Sequence, residues 1–532
     1  GVRRRLDYLA ELGVTFVHLM PLLRAREGEN DGGYAVVSYD QVEPDLGTTD
    51  DLAALATDLH DRDMNLCIDV VLNHTAAEHP WALAARAGDE RFRRYYFLFP
   101  DRTMPDRYER TLREVFPTFA PGNFTWLDDA QRWVWTTFNE YQWDLDWSNP
   151  DVFVAMVEVM LGLADLGVDV LRLDAAPFMW KREGTPCENL PEVHTLLCTL
   201  RAVLAIGAPA TIFEAEAIVA PDDLVEYVGA ADPPRRECEL AYHNQLMVVL
   251  WSSLATGEAR LMAESLRRVR RIPSHASWVT YVRCHDDIGW AITDDAAGSV
   301  GWNGFDHRTF LNEFFSGRFP TSFARGEIFQ FNPATGDGRI SGSAASLCGI
   351  EVAVEQGDEV HLDLACRRLE LLYAVVATYG GIPLVYMGDE LALVNDHSYL
   401  DDPARAGDNR WLHRPTMDWS VAERRNRPGT VESRVFRSLA AVLHDRASLT
   451  RLHGSATTEV LDVDDPGVLA FVRRHAHLGR FVMVANLGRR TAVVGRGPLG
   501  AGDAVVVRAV AAEVADHDVT LAPMGYVWFT TD

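Results

Sequence analysis

The sequence predicts an α/β fold, a closed (β/α)8 (TIM) barrel with two long βα-loop insertions and a C-terminal antiparallel β domain. Three observations favour this fold. Short apolar, β-branched runs alternate with amphipathic helical stretches through most of the 532 residues. Two long segments, one aromatic and one rich in Gly, Phe and Asn, interrupt the alternation after strands. The C-terminal end consists of short alternating strands separated by turn residues.

Apolar, β-branched composition marks the buried strands of the barrel. Seven such segments occur, at Thr15–Met20, Asn65–Leu72, Val168–Leu173, Thr211–Phe213, Cys238–Tyr242, Val279–Arg283 and Leu384–Met387. Helical periodicity lies between them, at Asp51–Arg62, Phe153–Leu166, Val193–Leu204 and Leu364–Thr378. A closed barrel needs eight strands and the chain opens in a helix-like segment, Val2–Leu12, so a first strand is expected to precede Gly1. An open doubly wound sheet is the alternative.

The interruptions define the predicted domains. The barrel is expected over residues 1–74, 150–287 and 361–450, with its last helix near Glu432–Leu449. The first insertion covers residues 75–149 and the second 288–360. Both follow the carboxyl ends of strands, where barrel active sites are built. Residues 451–532 are expected to form the β domain, with strands at 459–463, 468–472, 481–485, 504–507 and 526–530.

Charge excludes two classes of partner. Lys and Arg number 50 against 77 Asp and Glu, a formal net charge of -27. Such an acidic surface repels phosphate backbones and anionic lipids, so neither nucleic acid nor a membrane is expected to bind. The longest uncharged run, residues 371–388, contains Gly380, Gly381 and Pro383, which predict a buried helix and strand there.

Cysteine usage predicts the compartment. The seven Cys residues form no CxxC pair, which is typical of reduced thiols in a bacterial cytoplasm. No secretory signal is visible, but because the sequence opens in mid-pattern a signal upstream of Gly1 stays open.

Polar side chains follow four of the predicted strands. These ends read Asp69-Val-Val-Leu-Asn73-His74, Leu171-Arg172-Leu173-Asp174, Phe213-Glu214-Ala215-Glu216 and Val282-Arg283-Cys284-His285-Asp286-Asp287. A structural ion pair would explain any single one of these charges, but four sets at one rim indicate an active site. No HExxH or other metal-ligand spacing occurs, so neither a metal nor another cofactor is expected.

Asp174 and Glu216 are the first candidates for catalysis. They end consecutive strands, and adjacent strands lie about 4.8 Å apart. Carboxyl groups roughly 5–5.5 Å apart are typical of retaining glycosidases, which use one as nucleophile and the other as acid/base. Arg172 lies two residues earlier on the same face and is expected to keep Asp174 ionised as the nucleophile. Glu216 is preferred to Glu214 as the acid because it lies nearer the rim.

Other residues are expected to bind sugar. Asp286 is expected to bind sugar hydroxyls and to stabilise the positive charge that develops at C1. His74 and His285 are candidate donors to sugar hydroxyls, and the alternative is that they are buried structural histidines. Aromatic rings stack on pyranose faces, and planar guanidinium and amide groups pair with vicinal hydroxyls. Candidates of this kind are Tyr34, Arg113, Phe116, Phe138, Gln142, Arg308 and Arg339. For the two phenylalanines, core packing is the alternative.

The four strand ends resemble the motifs of the alpha-amylase superfamily of glycoside hydrolases (family 13), here DVVLNH, GVDVLRLDA, EAEA and VRCHDD. A narrower resemblance, to amylosucrase and sucrose hydrolase, covers nearly the whole chain. It is carried by MPDRYERTLREVFP, WVWTTFNEYQWDLDWSNP, GTPCENLPEVH, EAIVAPDDLVEYVG, RCHDDIGW and FNPATGDGRISGS. That resemblance implies transfer of a glucosyl unit from sucrose, with release of fructose, to an α-1,4-glucan acceptor such as glycogen or a maltooligosaccharide.

The resemblance also implies roles for single residues. Asp174 matches the nucleophile, Glu216 the acid/base and Asp286 the third carboxylate. The residues that match ligands of the glucosyl ring are His74, Arg172, His285 and Tyr34, the last stacking beneath it. Asp31 and Arg410 are expected at the far end of the glucose pocket. Asp287 and Gln142 are expected near the fructosyl ring. The residues expected toward the acceptor channel are Arg113, Phe116, Arg308 and Arg339.

One position departs from the family pattern: Glu214 stands where Lys is expected, and it adds negative charge below Glu216. Three other functions stay open. A sucrose hydrolase would use the same pocket with water as acceptor. A sucrose phosphorylase would need a phosphate site, for which arginines of the second insertion are available. A non-catalytic member would have lost the three carboxylates, which this chain retains.

Overall fold

The structure is a computed structural model that describes residues 1–116, 119–231, 234–332 and 337–531. It contains two compact units. Unit 1 comprises Gly1–Ala10 and Val14–Tyr242, and unit 2 comprises Glu11–Gly13 and His243–Asp532.

Unit 1 is built on parallel strands that follow one another in chain order. They are β1 (Phe16–Leu19), β2 (Asn65–Val71), β3 (Val170–Asp174), β4 (Ile212–Ala215) and β5 (Leu240–Tyr242). Each coincides with a predicted strand to within three residues. Parallel strands end at the same edge, so the polar residues that follow β2, β3 and β4 lie side by side.

Caps and apolar faces specify the helices between these strands. Thr48 and Asp51 form a reciprocal capping box that begins helix Thr49–His60. Helix Pro150–Asp165 begins after the Asn149 cap and buries one apolar face, formed by Val152, Met156, Met160 and Leu163. The other α-helices up to residue 242 are Leu6–Leu12, Pro80–Ala87, Glu90–Arg93, Thr103–Tyr108, Pro191–Gly207 and Pro221–Leu224.

The first insertion has secondary structure of its own. Strands Leu98–Phe99, Arg132–Trp135 and Phe124–Leu127 form a small antiparallel sheet. Strand His74–Ala76 pairs with Gln142–Asp144, so that His74 opposes Asp144 and Ala76 opposes Gln142. The insertion therefore begins and ends beside the carboxyl end of β2.

Unit 2 holds the two remaining parallel strands, β6 (Ser277–Tyr281) and β7 (Ile382–Leu384), which pair with each other. Its second insertion contains an antiparallel sheet of Ile288–Gly289, Arg339–Ser341 and Glu327–Phe329. The α-helices of this unit are Asn244–Thr256, Arg260–Arg268, Asp294–Ser299, Gly304–Phe315, Ala344–Cys348, Ile350–Gln356, Glu359–Tyr379, Trp419–Ala422 and Val431–Ser448. In the described parts of the chain, no helix is long and apolar enough to cross a bilayer.

The C-terminal region of unit 2 is a six-stranded antiparallel sheet. Its strands are β8 (Thr457–Val460), β9 (Val468–His475), β10 (Gly479–Asn486), β11 (Ala492–Gly495), β12 (Val505–Val514) and β13 (Asp518–Thr531). The sequence did not predict β11, which has only four residues. It also ended β12 at residue 507, because irregular register between Val506 and Arg508 and between Val510 and Ala512 breaks the alternation.

Candidate active site

Arg172 binds two carboxylates inside unit 1. Its NH1 group donates to Asp174 Oδ1 and to Asp69 Oδ2, each at 2.9 Å, and lies 3.3 Å from the hydroxyl oxygen of Tyr34. The Tyr34 hydroxyl donates to the same Asp69 oxygen at 2.5 Å. The Arg172 and Asp69 side chains are 2% and 0% exposed. A guanidinium in this position stabilises negative charge on Asp174.

Asp174 and Glu216 interact electrostatically at the ends of β3 and β4. Burial raises the pKa of Asp174 well above its usual range; Arg172 lowers that pKa, whereas the charge of Glu216 raises it further. The charge of each carboxyl group therefore affects the ionisation of the other. Asp174 keeps 13% of its side chain exposed, so a ligand can reach it.

A backbone amide holds Glu216. The Ala175 N–H donates to Glu216 Oε2 at 2.9 Å, and the Glu216 N–H donates to the Leu173 carbonyl at 3.2 Å. Ala175 has φ of 51°, in the left-handed region, so the chain turns directly after Asp174. The turn brings an N–H donor of one strand end to the carboxylate of the next.

A buried group of polar side chains lies along β1, β2 and β4. His18 Nε2 is 2.6 Å from Asp69 Oδ1. The Cys67 thiol donates to Glu214 Oε2 at 3.7 Å, and Glu214 Oε1 is buried without a hydrogen-bond partner among the described residues. Burial raises the pKa of Glu214, whose carboxylate replaces the expected Lys. His18 was missed from the sequence, although a histidine in an apolar strand was the available signal.

His74 is a buried neutral imidazole. Burial lowers its pKa, and its Nε2 group donates to the Tyr34 carbonyl at 3.1 Å. The His74 ring is centred 5.3 Å from Phe138, which also packs on Phe116 and Phe178. Phe116 is buried and Phe138 half-buried, so Phe138 is the ring of this pair that a ligand can reach.

Gln142 and Asp31 lie against each other. The Gln142 amide donates to Asp31 Oδ2 at 3.3 Å, and Gln142 is fully buried. Gln142 was predicted to lie near the fructosyl ring and Asp31 at the far end of the glucose pocket, and the structure makes the two residues direct neighbours. Arg113 is exposed. Hydrogen bonds and ring contacts connect Asp174, Arg172, Tyr34, His74, Phe138 and Phe116, and the charge of Asp31 acts on His74.

A lysine ties the first insertion to the same edge. Lys181 Nζ lies 2.6 Å from Asp144 Oδ2 and 3.3 Å from Asn73 Oδ1, and the Lys181 and Asp144 side chains are 1% and 0% exposed. Asn73 also donates to Asp144 at 2.9 Å. The sequence analysis did not single out Lys181, and its burial was not predicted.

In unit 2, Asp286 lies near a histidine and two arginine side chains. His285 Nε2 is 3.3 Å from Asp286 Oδ2, and the guanidinium groups of Arg410 and Arg414 are 3.7 and 3.6 Å from Asp286 Oδ1. Arg410 in turn makes a bidentate pair with Asp408, at 2.6 to 2.9 Å. These cations stabilise the ionised form of Asp286.

Arg414 and His413 fix the backbone before Asp286. The Arg414 Nε group donates to the His285 carbonyl at 2.6 Å, and His413 Nε2 donates to it at 3.0 Å. His413 Nδ1 accepts the Gly342 N–H at 3.0 Å, and burial lowers the pKa of His413 well below its usual value, so its ring is neutral. Both residues were missed, although they lie three and four residues after Arg410, which the sequence singled out.

The arginines of the second insertion differ in their surroundings. Arg339 Nε lies 3.5 Å from Asp287 Oδ2. Burial raises the pKa of Asp287, and Arg339 lowers it. Arg308 donates to the Ile292 carbonyl at 2.8 Å and to Asp294 at 3.0 Å. Arg339 therefore neighbours a predicted site residue, whereas Arg308 is held within its own insertion.

Among the residues that the structure describes, two groups of side chains bring potential metal ligands within 4.8 Å of one another, at His18, Cys67 and Glu214 and at Cys284, His285 and Asp286. Both groups already face guanidinium cations. Arg172 interacts with Cys67 and Glu214, and Arg410 and Arg414 lie beside Asp286. An arginine therefore already offsets part of the negative charge in each group.

Comparison with known proteins gives the family. The sequence profile of the alpha-amylase catalytic domain matches residues 1–267. A trehalose synthase from Thermus thermophilus is 30% identical over 523 residues, covering 92% of this chain and 48% of that protein. A glucosylglycerate phosphorylase from Escherichia coli is 24% identical over 527 residues, covering 96% of this chain and 85% of that protein. The crystal structure of a trehalulose synthase from Pseudomonas mesoacidophila superposes with a TM-score of 0.69 at 16% identity, covering 100% of this chain and 94% of that one.

The chain belongs to the alpha-amylase family. The predicted fold class, a (β/α)8 barrel with a C-terminal antiparallel β domain, is confirmed by the profile match and the structural similarity. The chain spans about half the length of the T. thermophilus relative. The resemblance to amylosucrase concerns a smaller group within this family, and the family assignment does not extend to that group.

Proposed function

We propose that the protein is a retaining, amylosucrase-like glucosyltransferase that takes a glucosyl unit from sucrose, releases fructose and extends an α-1,4-glucan. One observation carries the chemistry. Asp174 and Glu216 end adjacent strands, the first bound by Arg172 NH1 at 2.9 Å and the second by the Ala175 N–H at 2.9 Å. A pair of carboxyl groups held by unlike partners is suited to the two roles of a retaining mechanism.

In the first step, an Asp174 oxygen attacks C1 of the glucosyl unit and the bond from C1 to the leaving oxygen breaks. Glu216 gives its proton to that oxygen, so fructose departs as a neutral molecule. The proposed mechanism assigns the proton to Glu216, because the charge of Arg172 favours the ionised form of Asp174.

In the second step, an acceptor hydroxyl attacks C1 and the bond to Asp174 breaks. The Glu216 carboxylate takes the proton of that hydroxyl, which restores the starting state. Two displacements at C1 retain the configuration. Asp286 is proposed as the third carboxylate and His74, His285 and Tyr34 as glucosyl ligands, on the motif resemblance.

Sucrose as donor rests on the amylosucrase-like segments of the sequence. A second candidate is a trehalose-forming enzyme, which is favoured by the 30% identity to the T. thermophilus trehalose synthase. Both candidates share the glucosyl-Asp174 intermediate. They differ in the donor and in whether the released sugar leaves or is recaptured as the acceptor.

Product analysis separates these functions. We expect sucrose to yield fructose and, with glycogen present, new α-1,4-linked glucose on the glucan. Equal glucose and fructose whatever the acceptor would instead identify a hydrolase, and phosphate-dependent fructose release a phosphorylase. Trehalose from maltose, without turnover of sucrose, would favour the second candidate. Product of inverted configuration would contradict the proposed roles of Asp174 and Glu216.

A further inference from the structure

A chain of buried charged groups leads from β1 to the nucleophile. His18 Nε2 is 2.6 Å from Asp69 Oδ1, Asp69 Oδ2 is 2.9 Å from Arg172 NH1, and that nitrogen is 2.9 Å from Asp174 Oδ1. His18 is the end of the chain farthest from the reacting atoms. The proposed mechanism uses only the Arg172 and Asp174 end of it.

Several carboxyl groups lie around this chain of charges. They belong to Asp69, Asp174, Glu214 and Glu216, and the permanent cation Arg172 interacts with the first three. Arg172 NH1 is shared between Asp69 and Asp174. A second positive charge beside Asp69 would leave more of the Arg172 charge to Asp174.

We propose that His18 is a positioning residue that carries a proton in the working enzyme, and that its imidazolium holds Asp69 so that Arg172 stabilises the ionised nucleophile. This inference rests on the proposed function, because it assigns His18 to the glucosylation of Asp174. His18 touches no reacting atom and acts through Asp69 and Arg172.

The carboxyl groups that face His18 favour its charged form. Asp69 and Cys67 face it from β2, Glu214 from β4 and Arg172 from β3. Burial and the charge of Arg172 lower the pKa of His18, but the hydrogen bond and charge of Asp69 and the charge of Glu214 leave that pKa above its usual value. The His18 side chain is 17% exposed, so it can exchange a proton with solvent.

The charge on His18 has a consequence at alkaline pH. When His18 loses its proton, Asp69 loses a positively charged neighbour. Asp69 then interacts more strongly with Arg172, which it shares with Asp174. Negative charge on Asp174 is then less well stabilised in this resting geometry, and Asp69 and Arg172 lose their fixed positions. Formation of the glucosyl intermediate is expected to slow as pH rises through the pKa of His18.

A kinetic experiment tests formation of the glucosyl intermediate separately from proton donation by Glu216. With α-glucosyl fluoride as donor, the fluoride leaves with little help from an acid, so loss of the Glu216 proton does not dominate the alkaline limb. We expect kcat/KM of the unmodified protein to fall roughly tenfold across that limb. His18→Gln keeps an N–H donor for Asp69 without a charge, and should give the lower rate at all pH values, with no limb in that range.

A matched control exists in the same unit. His60 Nε2 lies 2.9 Å from Asp169 Oδ2 in an exposed pair outside the chain of charges. His60→Gln should leave both the rate and the limb unchanged. A limb that persists in His18→Gln, or a full rate in that variant at neutral pH, would overturn the positioning role.

Nitrogen NMR of histidine-labelled protein supplies a readout that needs no turnover. The His18 signal, identified by its loss in His18→Gln, should be that of an imidazolium at neutral pH and should titrate above about 6.5. In Asp69→Asn, it should titrate lower. A neutral His18 at pH 7 would overturn the inference even if sucrose is turned over, whereas a charged His18 without turnover of any glucosyl donor would reject the proposed function instead.

Discussion

The ammonium group of Lys181 lies 2.6 Å from an Asp144 carboxylate oxygen, and both side chains are shielded from solvent. Lys181 is the only lysine in the sequence. Its Nζ group also donates to the Phe178 carbonyl at 2.6 Å and contacts Asn73. Three donors on a compact ammonium thus join the strand end of β2, the first insertion and the segment after β3.

Lys181→Met should reduce the free energy of unfolding of unit 1 by about 3–5 kcal/mol, because it leaves the buried Asp144 charge uncompensated. Urea unfolding monitored by tryptophan fluorescence measures this loss. As control, Arg86→Gln removes the cation of an exposed pair with Asp129 and should change the free energy of unfolding little, because solvent screens that pair. Equal losses in both variants would contradict a special role for the buried pair.

Glu216→Gln should reduce turnover of sucrose by about 10²–10⁴-fold, because a carboxamide cannot protonate the leaving fructose. Glucosylation by α-glucosyl fluoride should be affected much less. Glu214→Gln is the matched control, since it changes the carboxylate two residues below on β4 that the proposed mechanism does not use. Steady-state kinetics with both donors provide the measurement. Were Glu214→Gln to show the larger donor-dependent loss, the acid would have to be reassigned to Glu214.

Arg172→Met should shift the acid limb of the pH–rate profile to higher pH. Burial already raises the pKa of Asp174, and Arg172 opposes that rise, so its removal raises the pKa further. The nucleophile must be ionised, and activity is therefore lost at a higher pH as the solution is acidified. Profiles of kcat/KM for sucrose test the shift, with exposed Arg182→Met as the control. An unchanged acid limb would mean that Arg172 does not set the charge of Asp174.

Asp408→Asn should reduce the dependence of stability on acid. Burial raises the pKa of Asp408, but its hydrogen bonds and charge interaction with Arg410 bring the pKa below the usual value. A lowered pKa contributes stability above the unfolded value of about 3.9 that disappears as pH falls through the folded value. The thermal midpoint of the unmodified protein should therefore fall more steeply in acid than that of Asp408→Asn. Asp402→Asn, in an exposed pair with Arg405, should behave like the unmodified protein.

Sequence patterns predicted the parallel strands, because each pattern depends on residues that are neighbours along the chain. All seven parallel strands occur at predicted segments, since a continuous apolar run must be buried on both faces. The bounds of the insertions stay predictions, and the small sheets within those segments were not predicted. Pairs such as Ala76 with Gln142 join strands of three residues, which are too short to give a periodic signal.

The candidate site was predicted in part for the same reason. Asp174 and Glu216 directly follow strands, so the parallel order of β3 and β4 makes them neighbours. His18, Lys181 and Arg414 were missed because their roles come from partners far along the chain, 51 residues away for Asp69 and 108 for Asn73. The predicted roles of the binding residues stay predictions.

By itself, the sequence determined the βα alternation, the strand ends that carry acids and the family motifs, because strand burial and motif spacing are local properties. The tertiary structure alone decided which charges share a partner. Arg172 divides its hydrogen bonds between Asp69 and Asp174, and Lys181 pairs with Asp144, only because folding excludes water and sets donor and acceptor within 3 Å. Electrostatic pairing of that kind depends on distance and burial, which no linear pattern contains.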